Sequence, residues 1–338
     1  MTVWRGREIF DREDVCHTFS SAEVSGFSEF LQRVGDRDLA TLSRSDIFVP
    51  EVQSRLARVR EELEHGSGVV LLRALPTAIW RESSSALVFW ALARSLGTPV
   101  SQSADGQRLL HVRDEGFAPT DARFRGPMSS KRLSFHTDRC DVIGFLCLCP
   151  ALRGGDTFVV SSETLYEELE RRFPSALAML SQPFPYLRHT VDRGNTKLYC
   201  ELPVFSRHEG AFAAHFLRVL IDRADQDAKT PNLTSAQREA LDVLESVAEE
   251  ASLHVSLSLE SGDILLLNNW TTFHRRSAFD DSREIEQHRH LLRIWLSMDN
   301  SRPIAPCFVD HFGATSAGAI RGGMKPLGES EKELERER

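Results

Sequence analysis

The chain has 338 residues, 41 Lys and Arg against 49 Asp and Glu, and a formal charge of -8. That balance offers no basic field to a polyanion, so nucleic acid is excluded as a partner. No apolar run approaches the ~20 residues of a membrane span, and MTVWRGREIF lacks the apolar core of a secretory signal, so no membrane association and a cytoplasmic setting are expected.

In chain order, SSAEVSGFSEFLQRVG and PEVQSRLARVREELEHG carry apolar residues at helical spacing, the second opened by Pro50 and closed by Gly66 or Gly68. VVLLRAL, residues 69–75, reads as a buried strand, and SSSALVFWALARSLG as an apolar helix ended by Gly97 and Pro99. From about residue 107 the period becomes two. RLLHVRD, LSFHTD, GFLCLC, DTFVVSS and KLYCELPVF are short strand candidates punctuated by Gly, Pro, Asp or Asn, the pattern of a sandwich or closed barrel. ETLYEELERRF is a surface helix, and SAQREALDVLESVAEE a second, with Thr234 and Gln237 forming a capping box. LHVSLSL and ILLLNN, joined by ESGD, read as a hairpin, and RHLLRIWLS as the last strand. Residues 300–323 are irregular, and KPLGESEKELERER is a solvated tail. One domain over 1–338 is expected: support over 1–106, a β core over 107–300 with a helical insert at 234–250, and an irregular end over 301–338. A homo-oligomer stays open. The six cysteines lack C-x-x-C spacing and read as reduced packing residues, Cys147 and Cys149 included.

In SFHTDRC, His136 and Asp138 project from one face of an extended stretch and Thr137 from the other. A shared metal ion is one explanation, a salt-bridged strand histidine the other. With 12 His and 49 acidic residues, chance alone supplies one or two His-x-acid triplets, so the triplet does not decide between them. On the last strand Arg289, Leu291, Arg293 and Trp295 share one face, while His290, Leu292, Ile294 and Leu296 form a core face. Two guanidinium groups on an otherwise apolar face are costly unless each meets an anion, supplied by internal carboxylates or by two small anionic ligands. NNWTTFHRRSAFDD follows an apolar strand, placing His274 where the chain leaves a sheet for a loop. A ligand there would complete the two histidines and one carboxylate of a non-haem iron(II) facial set. Gln102 and Asn269 are candidates for touching substrate or for satisfying backbone at a pocket rim. Arg139, Arg275 and Arg276 line the mouth or bond backbone carbonyls. His189, His208, His215 and His254 read as packing or surface residues, and His288 as loop.

Together HTD, GGDT, NNWTTFHRR and RHLLRIWL resemble the taurine dioxygenase (TauD/TfdA)/clavaminate synthase-like family of iron(II)- and 2-oxoglutarate-dependent oxygenases, over roughly residues 66–323. The resemblance implies a mainly β core with flanking helices (α+β), a double-stranded β-helix of the jelly-roll, cupin-like kind, in accord with the strand pattern. It implies His136, Asp138 and His274 as iron ligands, Thr157 and Arg289 as holders of the distal carboxylate of 2-oxoglutarate, and Arg293 as the partner of an acidic group on the substrate. Fe(II), 2-oxoglutarate and O2 would then serve hydroxylation of an unactivated C–H bond in a small anionic molecule, an amino acid or acid derivative, with succinate and CO2 released. Asp138 fills the position that halogenating relatives leave to chloride, which disfavours halogenation and leaves desaturation and cyclisation open. Members acting on free asparagine or arginine commonly carry His-x-Glu, so no substrate transfers directly. The rivals are a cupin-like protein that binds a metal or small acid without turnover, and a zinc hydrolase, which leaves GGDT and the two-arginine face unexplained.

Overall fold

Apolar residues occupy consecutive positions in VVLLR, VIGFLCLC, ILLLN and HLLRIWLS, a pattern that a strand buries only when both of its faces are covered. A computed structural model, describing residues 3–326 except 36, 117–125, 190–191, 193–194 and 196, shows those covers. The strands that build the site are β1 (Cys16–Thr18), β2 (Val69–Arg73), β3 (Leu109–Val112), β4 (Val142–Cys149), β5 (Thr157–Ser161), β6 (His254–Leu257), β7 (Ile264–Asn268), β8 (Thr272–Arg276) and β9 (His290–Ser297). The main sheet runs β1-β2-β7-β4-β9 and is extended beyond β9 by β3 and by Thr98–Pro99. β1 and β2 are parallel, and the other pairs antiparallel. A second antiparallel sheet runs β6-β5-β8.

Period two sorts the side chains between covers. Val69, Leu71, Leu265, Leu267, Leu291 and Trp295 point inward and share a core with Val159, Val255 and Leu257 of the second sheet. Their alternates Val70, Leu72, Ile264, Leu266, Leu292, Ile294 and Leu296 pack outward under helices α1 (Ser21–Val34), α2 (Gln53–His65) and α3 (Glu82–Leu96). The outer face of the second sheet gives Val160 and Phe273 to a third core. That core is roofed by α4 (Ser162–Arg172), α5 (Pro174–Leu180), α6 (Arg218–Gln226) and α7 (Ser235–Ala248). Two sheets enclosing a core, with helices on their outer faces, form the jelly roll.

Helix ends follow local chemistry. Gly66 and Gly97 close α2 and α3, and Thr234 with Gln237 caps α7 reciprocally. Among the described residues no helix is long and apolar enough to cross a membrane.

Three expectations need correction. LHVSLSL and ILLLNN do not pair: β6 joins β5, whereas β7 lies between β2 and β4. Alternating HVSL suits an edge, and ILLLN, apolar at every position, needs neighbours on both sides. KLYCELPVF breaks at Pro203, which has no N–H for a ladder, into Tyr199–Leu202 and Phe205–His208 on different partners. LSFHTD forms only an isolated bridge at His136. Within the first hundred residues β1, β2 and Thr98–Pro99 belong to the main sheet. The charged tail from residue 327 lies outside the described residues.

Candidate active site

His136 and His274 meet because their backbones do. The His136 N–H donates to the His274 carbonyl at 2.9 Å and the reverse bond measures 3.0 Å, so the two residues form a hydrogen-bonded antiparallel pair with side chains on one face. Their ring centroids lie 4.5 Å apart. Asp138, two residues on, joins that face, with Oδ2 at 3.3 Å from His274 Nε2 and 3.9 Å from His136 Nε2. Thr137 points the other way, its hydroxyl 2.9 Å from His215 Nδ1. His274 lies inside β8, not where a sheet gives way to loop. The turn at 268–271 is tight, with the Trp270 N–H donating to Asn268 Oδ1, and the strand resumes at Thr272 in the opposite sheet.

The donor set suits a divalent cation. One ligand atom from each of His136, Asp138 and His274 falls within 4.8 Å of the others. His136 Nδ1 donates to the Ser134 carbonyl at 2.8 Å, which leaves Nε2 with its lone pair free. Burial, with the His274 imidazole alongside, pulls the His136 pKa down to about 4, so the ring is neutral and able to donate to a metal. Burial opposes ionisation of Asp138, but the His274 hydrogen bond and the Arg293 charge prevail and hold its carboxyl well below the usual range. His274 Nδ1 is buried without a hydrogen-bond partner. One face of the set is protein, and the other opens on a small cavity of about 50 Å³.

That cavity brings together three more of the predicted residues: Thr157 from β5, Arg289 just before β9 and Arg293 from its middle. Arg289 is 5% exposed, and among the described residues no carboxylate pairs with its guanidinium, whose Nη1 has no hydrogen-bond partner. It lies over the Phe279 ring at 5.1 Å. Burial lowers its pKa to about 10, the mark of a buried cation that an anionic ligand would neutralise. GGDT serves that approach: Gly155, at φ +75°, sits so close that a Cβ there would be 3.0 Å from Arg289 Nε. Arg293 lines both this cavity and a larger outer cleft. Its Nε donates to Gln102 Oε1 at 2.7 Å, and Nη1 is 3.8 Å from Asp138.

Gln102 is fully buried at the cleft wall and aims Arg293. Asn269 lines neither cavity, and of its two readings the bonding to backbone is the one seen. Its Oδ1 accepts from the Asp138 N–H at 2.9 Å and its Nδ2 reaches Cys140 Sγ, so it holds the backbone that presents Asp138. Arg276 bonds the carbonyls of Pro127, Ser129 and Lys131, and Arg275 pairs with Glu249.

The sequence profile of the taurine catabolism dioxygenase TauD, TfdA family matches residues 35–295. The chain belongs to this family. FR-33289 synthase of Streptomyces rubellomurinus (strain ATCC 31215) is 29% identical over 335 residues, covering 96% of this chain and 94% of that protein. The taurine hydroxylase-like protein SAT17 of Stachybotrys chartarum (strain CBS 109288 / IBT 7711) is 25% identical over 310 residues, covering 88% and 79%. Among solved structures, asparagine oxygenase with Fe(II), 2S,3S-3-hydroxyasparagine and succinate superposes with a TM-score of 0.64 at 19% identity, covering 83% of this chain and 93% of that one. Oxygenase OrfP with Fe, succinate and (3S)-hydroxy-L-Arg gives 0.61 at 16%, covering 84% and 95%. As a TauD/TfdA-family dioxygenase, the protein uses Fe(II), 2-oxoglutarate and O2.

In this TauD/TfdA-family chain, one group essential to the site carries no periodic signal in sequence. Asp141, three residues after Asp138, accepts from Trp270 Nε1 at 2.7 Å and Arg321 Nε at 2.6 Å through Oδ1, and from the Met298 N–H at 2.9 Å through Oδ2. Arg321 belongs to the irregular C-terminal stretch and is fully buried at its side chain. Gly323 and Met324 then donate to the Arg139 and Ser101 carbonyls, tying that stretch beneath the ligand segment.

The buried histidines also set an acid limit. The fold keeps His136 neutral down to about pH 4 and His215, buried near Arg139, down to about pH 3, whereas both protonate near 6.5 when free. The unfolded chain therefore takes up more protons on acidification, and stability of the metal-free protein falls as pH drops from 6.5 towards those values, by about 1.4 kcal/mol per pH unit for each group. Urea midpoints at pH 7 and pH 5 check this, and His215→Phe is expected to flatten the loss.

Proposed function

We propose that this oxygenase hydroxylates an unactivated C–H bond in a small anionic molecule, an amino acid or acid derivative, whose acidic group is received by Arg293. Iron(II) with 2-oxoglutarate and oxygen supplies the oxidising power, and succinate and CO2 leave. His136, Asp138 and His274 hold the metal through one protein face and keep the other open to the cavity. Thr157 and Arg289 take the distal carboxylate of 2-oxoglutarate, which neutralises the unpaired guanidinium. Gln102 fixes the Arg293 side chain, and Asn269 fixes Asp138, so substrate is oriented against a rigid ligand set.

The observation that carries the substrate class is the position of Arg293. It reaches from the inner cavity to the outer cleft, and among the described residues Asp138 is its sole acidic neighbour within 4 Å. Once that carboxylate is committed to a metal, the guanidinium calls for another anion. Hydroxylated amino acids in the solved relatives support the same class. The non-catalytic alternative would show the loss of a ligand or of the 2-oxoglutarate arginine, and neither is lost. The same reading sets the enzyme in the cytoplasm, its six cysteines being free thiols.

Screening amino acids and small acids for stimulated succinate formation tests this proposal. A compound bearing a carboxylate or other acidic group should stimulate, and Arg293→Ala should raise its KM by about 100-fold with little change in the 2-oxoglutarate requirement. Stimulation only by compounds that lack an acidic group, or an unchanged KM in the variant, would refute it. Arg289→Ala should do the converse, raising the KM for 2-oxoglutarate by about 100-fold through loss of a charge-assisted pair.

A further inference from the structure

A second cluster of metal-ligating side chains lies on the opposite face of the main sheet. β3 and β9 are neighbours, Leu292 pairing with His111, and Glu82 is the first residue of α3. His111 Nδ1 is 2.9 Å from His290 Nε2 and 3.5 Å from Glu82 Oε1, and His290 Nδ1 is 3.8 Å from Glu82 Oε2. Donors about 2.0–2.1 Å from a tetrahedral zinc ion lie roughly 3.3 Å from one another, and His111 Nδ1 has His290 Nε2 at 2.9 Å and Glu82 Oε1 at 3.5 Å, so small rotamer adjustments bring these three atoms onto one ion. One ligand atom from each residue falls within 4.8 Å of the others, as it does for His136, Asp138 and His274, whose separations of 3.3 and 3.9 Å are comparable.

Backbone geometry points to the same place. The β9–β4 ladder shifts register between His290 and Leu291, which pair with Cys149 and Cys147 across an extra Leu148 on β4. His290, at the start of β9, sits beside the His111 ring, centroids 5.1 Å apart, on the face of Leu292, Ile294 and Leu296 but outside the core they occupy. Arg113, a nearby cation, has Glu115 at 3.7 Å. Side-chain exposures of 55% for Glu82 and 42% for His111 leave room for water to complete a coordination shell.

We propose that Glu82, His111 and His290 form a second metal site, distinct from the active-site set, which takes a zinc-class divalent ion and clamps the start of α3 to the β3–β9 edge. Two imidazoles and one carboxylate select borderline transition ions over magnesium or calcium. The inference does not depend on the hydroxylation reading.

The test uses Zn(II) as the probe, with tag-free full-length protein stripped by chelator. In a His136→Ala/His274→Ala background, whose active-site set is disabled, one equivalent should bind with a micromolar or lower Kd. Adding His290→Ala should weaken binding at least 100-fold, and Glu82→Gln less. At a hundredfold excess over Kd, Zn(II) should raise Tm by several degrees, and not in the His290→Ala form. A parallel measurement avoids reliance on that background: His111→Ala/His290→Ala in the otherwise native chain should lower Zn(II) stoichiometry from two to one. No binding at 100 μM by the natively folded background protein overturns the site, as does a stoichiometry or affinity that the His111 and His290 substitutions leave unchanged. Failure of either arm leaves the substrate-stimulation result untouched, so the two readings stand or fall separately.

Discussion

Asp138→Ala and His274→Ala are each expected to lower substrate-driven succinate formation by at least a thousandfold while leaving the fold intact. Residues one shell behind metal ligands typically contribute 10–100-fold, and direct ligands must exceed that. Asp138 carries the only formal charge of the set, so alanine leaves two neutral imidazoles and exposes the cation to Arg293, 3.8 Å from the lost carboxylate. His274→Ala removes a ligand whose place in β8 no neighbouring histidine can take, since His136 is its backbone partner and already used. Succinate formation coupled to substrate oxidation, followed under saturating iron(II), measures the effect. Full coupling retained in Asp138→Ala contradicts the assignment.

Arg321→Met is expected to cost about 3–5 kcal/mol of stability, because it leaves the Asp141 carboxylate buried without its cation. The pair is sealed from solvent, with side-chain exposures of 0% and 1%. The companion Asp141→Asn substitution removes the charge but keeps acceptor capacity for Trp270 and Met298. The double variant Asp141→Asn/Arg321→Met should therefore lose less than the sum of the single losses, the coupling expected of groups in one network. Urea unfolding of the four proteins reads this out. Additive losses would mean that the two side chains act independently.

The core strands were legible because their chemistry is local. VVLLR, ILLLN and HLLRIWLS announce two-sided burial, and the alternation of Arg289, Leu291, Arg293 and Trp295 tells which face meets the cavity. Pairing was less legible. Neighbouring strands joined by a short turn favour a hairpin, yet β6 and β7 separate into different sheets because one is an edge and the other central. His136 and Asp138 follow from a spacing of two, whereas His274 required order along the chain, its convergence depending on a backbone bridge that no local pattern encodes. Asn269 shows the limit of reading a polar residue near a motif: it faces the backbone at Asp138, not the cavity. His290, read as core from alternation, lies at the start of β9 beside His111 and outside the apolar core. Arg321 was hidden altogether, since a single arginine before two glycines in an irregular stretch has no periodicity, and only the folded chain brings it to Asp141.

Anaerobic titration of the metal-free protein with iron(II) in the presence of 2-oxoglutarate, followed by visible difference spectroscopy, is the most direct check on the joint ligand set. The native chain should develop the weak charge-transfer band of chelated 2-oxoglutarate and saturate it at one iron per chain, His274→Ala should develop none, and Arg289→Ala should require much more 2-oxoglutarate. A band of full intensity in His274→Ala, at the native 2-oxoglutarate requirement, would contradict the convergence of these side chains on a single iron.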